Sequence, residues 1–250
     1  MYFLLLLLFL QAMDRFIVRI HQTNLGSLYL VRFDQCRMLT MVTCSPAMVT
    51  DWLRSFYFLT NYYVRHGRSQ RGIVSLQARM TGHTVHTLHI CIGPSCLIFQ
   101  IQNAPSIPHS LVCFLADWHF TFVGVNNMSD IRQLLLTQYG MNIWNRVALF
   151  ELVGEYYRGL QEQMYEELYR ELRPDMVDNY FESLNQEMVY YGWTQFASLF
   201  GIQIRVPLVV TQSDWSNLHL QNSQILYASL EAWFCFELAR FIYNFANSIN

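Results

Sequence analysis

The sequence predicts an α/β protein of layered sheet and helices on three observations. Short runs rich in β-branched and aromatic residues are bounded by turn residues. Between them lie stretches whose apolar residues recur at helical spacing. The two kinds alternate along the chain, as a layered sheet-and-helix domain requires. Of 250 residues, 53% are hydrophobic and 14% charged, against about 25% charged in an average soluble domain, which excludes disorder and allows one large core.

Residues 1–10, MYFLLLLLFL, are too few to cross a hydrocarbon layer, which takes about 20 helical residues, so no transmembrane span is expected. The run has the length of a signal-peptide core, and Ala12 could precede cleavage, but no positive segment stands before it. Residues 1–26 are read as a hydrophobic N-terminal extension. SLYLVRF and RMLTMVT then form a hairpin turning near Asp34 and Gln35. Ser45 and Pro46 open a helix carrying Met48, Trp52, Phe56 and Leu59 on one side, with proline where it loses no hydrogen bond. After a basic loop at 65–72 come strands GIVSLQAR, VHTLHICIG and CLIFQIQ, a helix over 107–116, strand HFTFVGV, a helix over 128–139 and a short strand or turn near Val147 to Phe150. Leu160, Met164, Leu168 and Leu172 mark one amphipathic helix, Pro174 interrupts, and Tyr180, Leu184 and Met188 mark a second. A strongly apolar helix over 221–246 closes the chain.

Charge is polarised along this map. Residues 1–110 hold nine Arg and three Asp, residues 111–250 seven Arg against fifteen Asp or Glu. Ten of those acids fall in 151–187 against three Arg, a poor surface for phosphate backbones. All sixteen basic residues are Arg, and a lysine-free chain cannot perform Schiff-base chemistry. The six cysteines lack the close spacings of a disulfide framework or zinc knuckle and read as buried thiols. His83, His86 and His89 are evenly spaced but, on a strand, cannot all face one metal. Arg65, Arg68 and Arg71 follow Phe56, Phe58, Tyr62 and Tyr63, and arginines with aromatics suit single-stranded nucleic acid, although aromatics at helical spacing usually belong to a core. Ser213 and Asp214 before Trp215 have the look of a helix N-cap. No phosphate-cradling glycine loop or nucleophile elbow is present.

The run HTLHICIGPSCLIFQIQNAPSIPHSLVCFLADWHFTFVGVNNMSDIRQLL resembles the plant Werner-syndrome-like 3′→5′ exonuclease family of the DEDD superfamily. YLVRF, TMVT and VTDWL upstream, and GWTQFASLFGI, VTQSDWSN and QILYASLEAWFCFELAR downstream, extend the resemblance to about 220 positions. The segment around 155–190 is less typical and is read as a helical insertion in an exonuclease-like domain spanning 27–250. The resemblance implies a ribonuclease-H-like mixed sheet flanked by helices, two divalent metals held by four carboxylates, and a tyrosine orienting the attacking water. In-line phosphodiester hydrolysis uses one metal to generate hydroxide and one to stabilise the leaving oxygen, about 3.5–4 Å apart, and hard Mg²⁺ takes oxygen ligands.

Carried over position by position, the resemblance fails where it matters most. In IVSLQARM, Gln77 stands where the family has Asp and Arg79 where it has Glu. Asp130 remains after strand HFTFVGV, and on the last helix Tyr227 remains while the family's Asp becomes Glu231. Two carboxylates and an intruding guanidinium oppose divalent cations. The resemblance therefore implies remnant catalytic positions Asp130, Tyr227 and Glu231, substituted positions Gln77 and Arg79, and no metal, with Arg79 paired to Asp130 or Glu231 in place of the cation. The expected function is a catalytically impaired exonuclease-domain protein that binds nucleic acid, through Arg65, Arg68 and Arg71, or a protein partner. The alternatives are an active nuclease using Mg²⁺ or Mn²⁺, and an interfering factor acting through 155–190 or the hydrophobic amino terminus. An intracellular location, nuclear or cytoplasmic, is expected, with targeting by residues 1–12 left open.

Overall fold

The computed structural model describes residues 17–33, 36–64, 72–125, 127–168, 192–202 and 206–249. Its strands are β1 (Ile17–Gln22), β2 (Gly26–Phe33), β3 (Cys36–Thr43), β4 (Gly72–Thr81), β5 (Thr84–Ile92), β6 (Ser95–Phe99), β7 (Phe120–Gly124) and β8 (Arg146–Ala148). They form one mixed sheet in the order β1-β2-β3-β6-β5-β4-β7-β8. Four neighbouring pairs are hairpin-like and antiparallel, while β3–β6, β4–β7 and β7–β8 are parallel. The helices are α1 (Pro46–Val64), α2 (His109–Leu115), α3 (Met128–Tyr139), α4 (Leu149–Leu168), α5 (Trp193–Leu199), α6 (Leu208–Thr211) and α7 (Asn222–Ile249).

The period of two in β4 explains how these layers assemble. Val74, Leu76 and Ala78 point to one face and meet Val49, Leu53, Phe114, Ile131 and their neighbours on α1, α2 and α3. Ser75, Gln77 and Arg79 point to the other face, which α7 covers together with α4 and α5. Both faces are thus buried, so that β4 and β5 are covered along nearly their whole length although one face of β4 is polar.

Most of the expected elements occur, and the differences have local causes. Ile17–Gln22, inside the segment read as an extension, pairs with β2 as an edge strand. Only Ile17 of this strand is buried, so no alternating pattern marked it. β6 stops at Phe99, and Ile101–Asn103 form a 3₁₀ turn. The helix expected from 107 begins at His109 because Pro108 holds an extended backbone at its N-cap. α3 has the expected bounds, with the Asn127 side-chain Oδ1 accepting from the Ser129 N–H at its start and Gly140 in the left-handed region at its end. Among the described residues no helix is long and apolar enough to cross a membrane. The second of the two amphipathic helices lies outside the described residues, as do Arg65, Arg68 and Arg71.

Candidate functional site

The site lies between the odd-numbered side chains of β4 and one stripe of α7. Tyr227, Glu231 and Cys235 are spaced four residues apart and so share a helix face. That face meets the residues of β4: the Cys235 thiol donates to the Val123 carbonyl at 3.4 Å, close to Ser75 and Gln77, while Tyr227 and Glu231 meet Arg79.

Gln77 is fully committed. Its Oε1 accepts from the Val125 N–H at 3.0 Å and its Nε2 donates to Ser75 Oγ at 3.3 Å, so it ties β4 to the end of β7. Arg79 donates from Nη2 to Glu231 Oε2, with side-chain exposures of 17% and 4% for the two partners. The Tyr227 hydroxyl donates to the other oxygen, Oε1, at 3.2 Å. Glu231 is therefore occupied on both oxygens. The Arg79 guanidinium also lies over the Tyr227 ring at 4.6 Å and the Trp215 ring at 5.4 Å, a cation–π arrangement strengthened by exclusion of water.

Burial is the largest single effect and works against the charge on Arg79, but Glu231 and Tyr227 together outweigh it and hold the guanidinium pKa above its usual value. Burial, and then Glu231, push the Tyr227 hydroxyl up to about 12, with Arg79 opposing. His89, opposite Gln77 on β5, is pushed well below the usual imidazole range by burial and by the charge of Arg79. It is neutral near pH 7, with Nε2 at 2.9 Å from Thr87 Oγ1.

Trp215 is held from the opposite side. Gln100 Nε2 donates to the Asn217 and Leu218 carbonyls at 3.0 and 2.9 Å, and Asn103 Nδ2 to the Ser216 carbonyl at 3.0 Å. Gln224 Nε2 donates to the Asp214 carbonyl at 2.9 Å. Asp214 caps a bend through the Ser216 N–H, not a helix, because α7 begins only at Asn222. Arg79 Nε, His89 Nδ1 and Trp215 Nε1 are buried without a hydrogen-bond partner, and the His89 and Trp215 rings are 5.5 Å apart. Of these, the Arg79 Nε–H and the Trp215 Nε1–H are donors in every protonation state, and unmet donors beside a guanidinium suit an acceptor ligand such as a phosphate oxygen, not a cation.

The structure thus brings Gln77, Arg79, Tyr227 and Glu231 together and leaves Asp130 apart. Asp130 is exposed in the first turn of α3, and Arg79 bonds Glu231 and not Asp130. Among the described residues no group of three His, Cys, Asp or Glu could hold a metal ion. With Glu231 already bonded to Arg79 and Tyr227, the donor set does not fit a pair of divalent cations. His86 is the extra residue of a bulge opposite Arg79 and Met80, so the alternation expected for the histidines breaks there: His86, its Nδ1 bonded to Gln102 Oε1, lies near Asp214, and His89 lies against Trp215. Residues the sequence reading did not place in the site are Trp193, 5.9 Å from the Tyr227 ring, Trp215 and His89. The available signal for Trp215 was its place in VTQSDWSN, one of the segments that carried the family resemblance.

No family model matches this chain, and no curated protein matches it. Solved structures do. The catalytic core of RRP6 from Trypanosoma brucei aligns with a TM-score of 0.56 at 10% identity, over 88% of this chain and 50% of that one. NrnC from Brucella melitensis aligns at 0.48 and 14% identity, over 71% and 75% of the two chains. The EXD2 exonuclease domain soaked in Mn and Mg aligns at 0.39 and 16% identity, over 80% and 86%. At such identities it is the fold that is shared: an α/β, ribonuclease-H-like sheet flanked by helices, the architecture of exonuclease cores. The chain spans about half the length of the RRP6 core.

Proposed function

We propose that the protein is a 3′→5′ exonuclease-domain protein of the plant Werner-syndrome-like branch that no longer hydrolyses phosphodiesters and uses the domain to bind nucleic acid. The carrying observation is the Arg79–Glu231 pair, roofed by Tyr227 and Trp215, at the position where the resembled family holds its metals. A guanidinium there offers positive charge that cannot polarise water as a metal does, yet can still attract a phosphate oxygen. The unmet donors on Arg79 and Trp215 support the same reading. The domain would start with β1 at Ile17 and carry an insertion at 155–190, act inside the cell in nucleus or cytoplasm, and need no metal.

End-labelled single- and double-stranded DNA and RNA, incubated with the full chain and Mg²⁺ or Mn²⁺, are expected to stay full length and to be bound in a salt-sensitive way. Metal-dependent shortening that Glu231→Gln abolishes would instead establish an active nuclease. Neither shortening nor binding would leave a protein partner, met through 155–190, as the function.

A further inference from the structure

The turn between β5 and β6 places two cysteines opposite each other. Ile92 pairs with Ser95 around the two-residue loop Gly93-Pro94, with Gly93 at φ +56°, where glycine is at ease. A positive φ at the first loop position followed by proline is the type II′ arrangement, in which the closing pair exchanges backbone hydrogen bonds. The next pair, Cys91 and Cys96, is then a non-hydrogen-bonded one. Such pairs bring Cα atoms to about 4.5 Å, inside the range of about 4.4–6.8 Å that a disulfide spans.

Both side chains face α7 and are buried. Cys96 Sγ donates to Cys91 Sγ at 2.7 Å, much closer than the about 3.5–4.0 Å at which nonbonded carbon atoms pack and not far from a bond of about 2.05 Å. Cys235, the other buried thiol nearby, is directed at the Val123 carbonyl and does not compete. None of these sulfurs bonds to Arg79, Tyr227 or Glu231.

We propose that Cys91 and Cys96 are a redox modification site that closes to a cross-strand disulfide in the presence of a hydroperoxide. One sulfur attacks the peroxide O–O bond and becomes a sulfenic acid, releasing water. The second sulfur then displaces the hydroxyl, forming the S–S bond and a second water. Hydrogen peroxide takes the two electrons, and a low-molecular-weight thiol reverses the step. Because burial holds the Cys91 thiol protonated, oxidation proceeds slowly, through openings of the hairpin from beneath α7. The closed form joins β5 to β6 two cross-strand pairs beyond His89 and Ile98.

The chain offers a direct readout. It has no lysine, so trypsin cuts only after arginine and releases Met80–Arg132, which contains Cys91, Cys96 and Cys113. After peroxide treatment of the full chain, then denaturation, alkylation and digestion, this fragment should carry one alkyl group and be lighter by two hydrogens. Prior reduction should give three alkyl groups. Three alkyl groups after peroxide, added oxygen without hydrogen loss, or hydrogen loss that persists in Cys96→Ser would each overturn the proposal. This site does not depend on whether the protein binds nucleic acid.

Discussion

The two faces of β4 are built from the same strand and obey different rules. Val74, Leu76 and Ala78 enter an all-apolar layer against α1, α2 and α3, where burial alone sets the stability. Ser75, Gln77 and Arg79 enter a layer that is just as dry but polar, in which each group is either matched, as Arg79 is by Glu231, or left with an unmet donor. The first face would be sufficient for a fold. The second costs desolvation that apolar residues would not.

The comparison can be broken most forcefully at the ion pair. Glu231→Ala strands a buried guanidinium and should cost about 3–5 kcal/mol in urea unfolding, whereas the double variant Arg79→Met with Glu231→Leu should be neutral or stabilising by about 1–4 kcal/mol. A double variant as weak as the single one would mean that Arg79 stabilises the fold by some other route. On the apolar face, Leu76→Ala should cost about 2–5 kcal/mol with no apolar replacement pair able to restore it.

The smallest effect is a pH slope. The pKa of His89 is depressed in the folded protein, while an unfolded histidine titrates near about 6.5. The unfolded chain therefore binds the proton first. Stability should be complete above about pH 6.5 and fall below it, by at most about 1.4 kcal/mol per pH unit. His89→Gln should flatten that slope in unfolding titrations, and an unchanged slope would show that other groups set it.

The sequence was most legible where periodicity and punctuation agree. The Asn127 cap and Gly140 stop bound α3, and the hairpin β2–β3 is marked by two β-rich runs about a short polar turn. The substitutions at 77 and 79 were readable because β4 alternates, so both positions had to share a face. What could not be read was partnership across long separations. Arg79 had two candidate carboxylates, and only the packing of α7 on β4 shows it with Glu231, 152 residues away, and not Asp130. Trp193, Trp215 and His89 were invisible as a group because no local pattern relates them. β1 escaped because an edge strand with one buried residue carries no alternation.

The central claim is that a guanidinium has taken the place of a metal, and calorimetric titration of the full chain with Mn²⁺ tests it most directly. No saturable heat is expected, and none should appear on adding Asp130→Asn or Glu231→Gln. Saturable Mn²⁺ binding that Glu231→Gln removes would contradict the account, because it would require Glu231 to leave Arg79 for the metal.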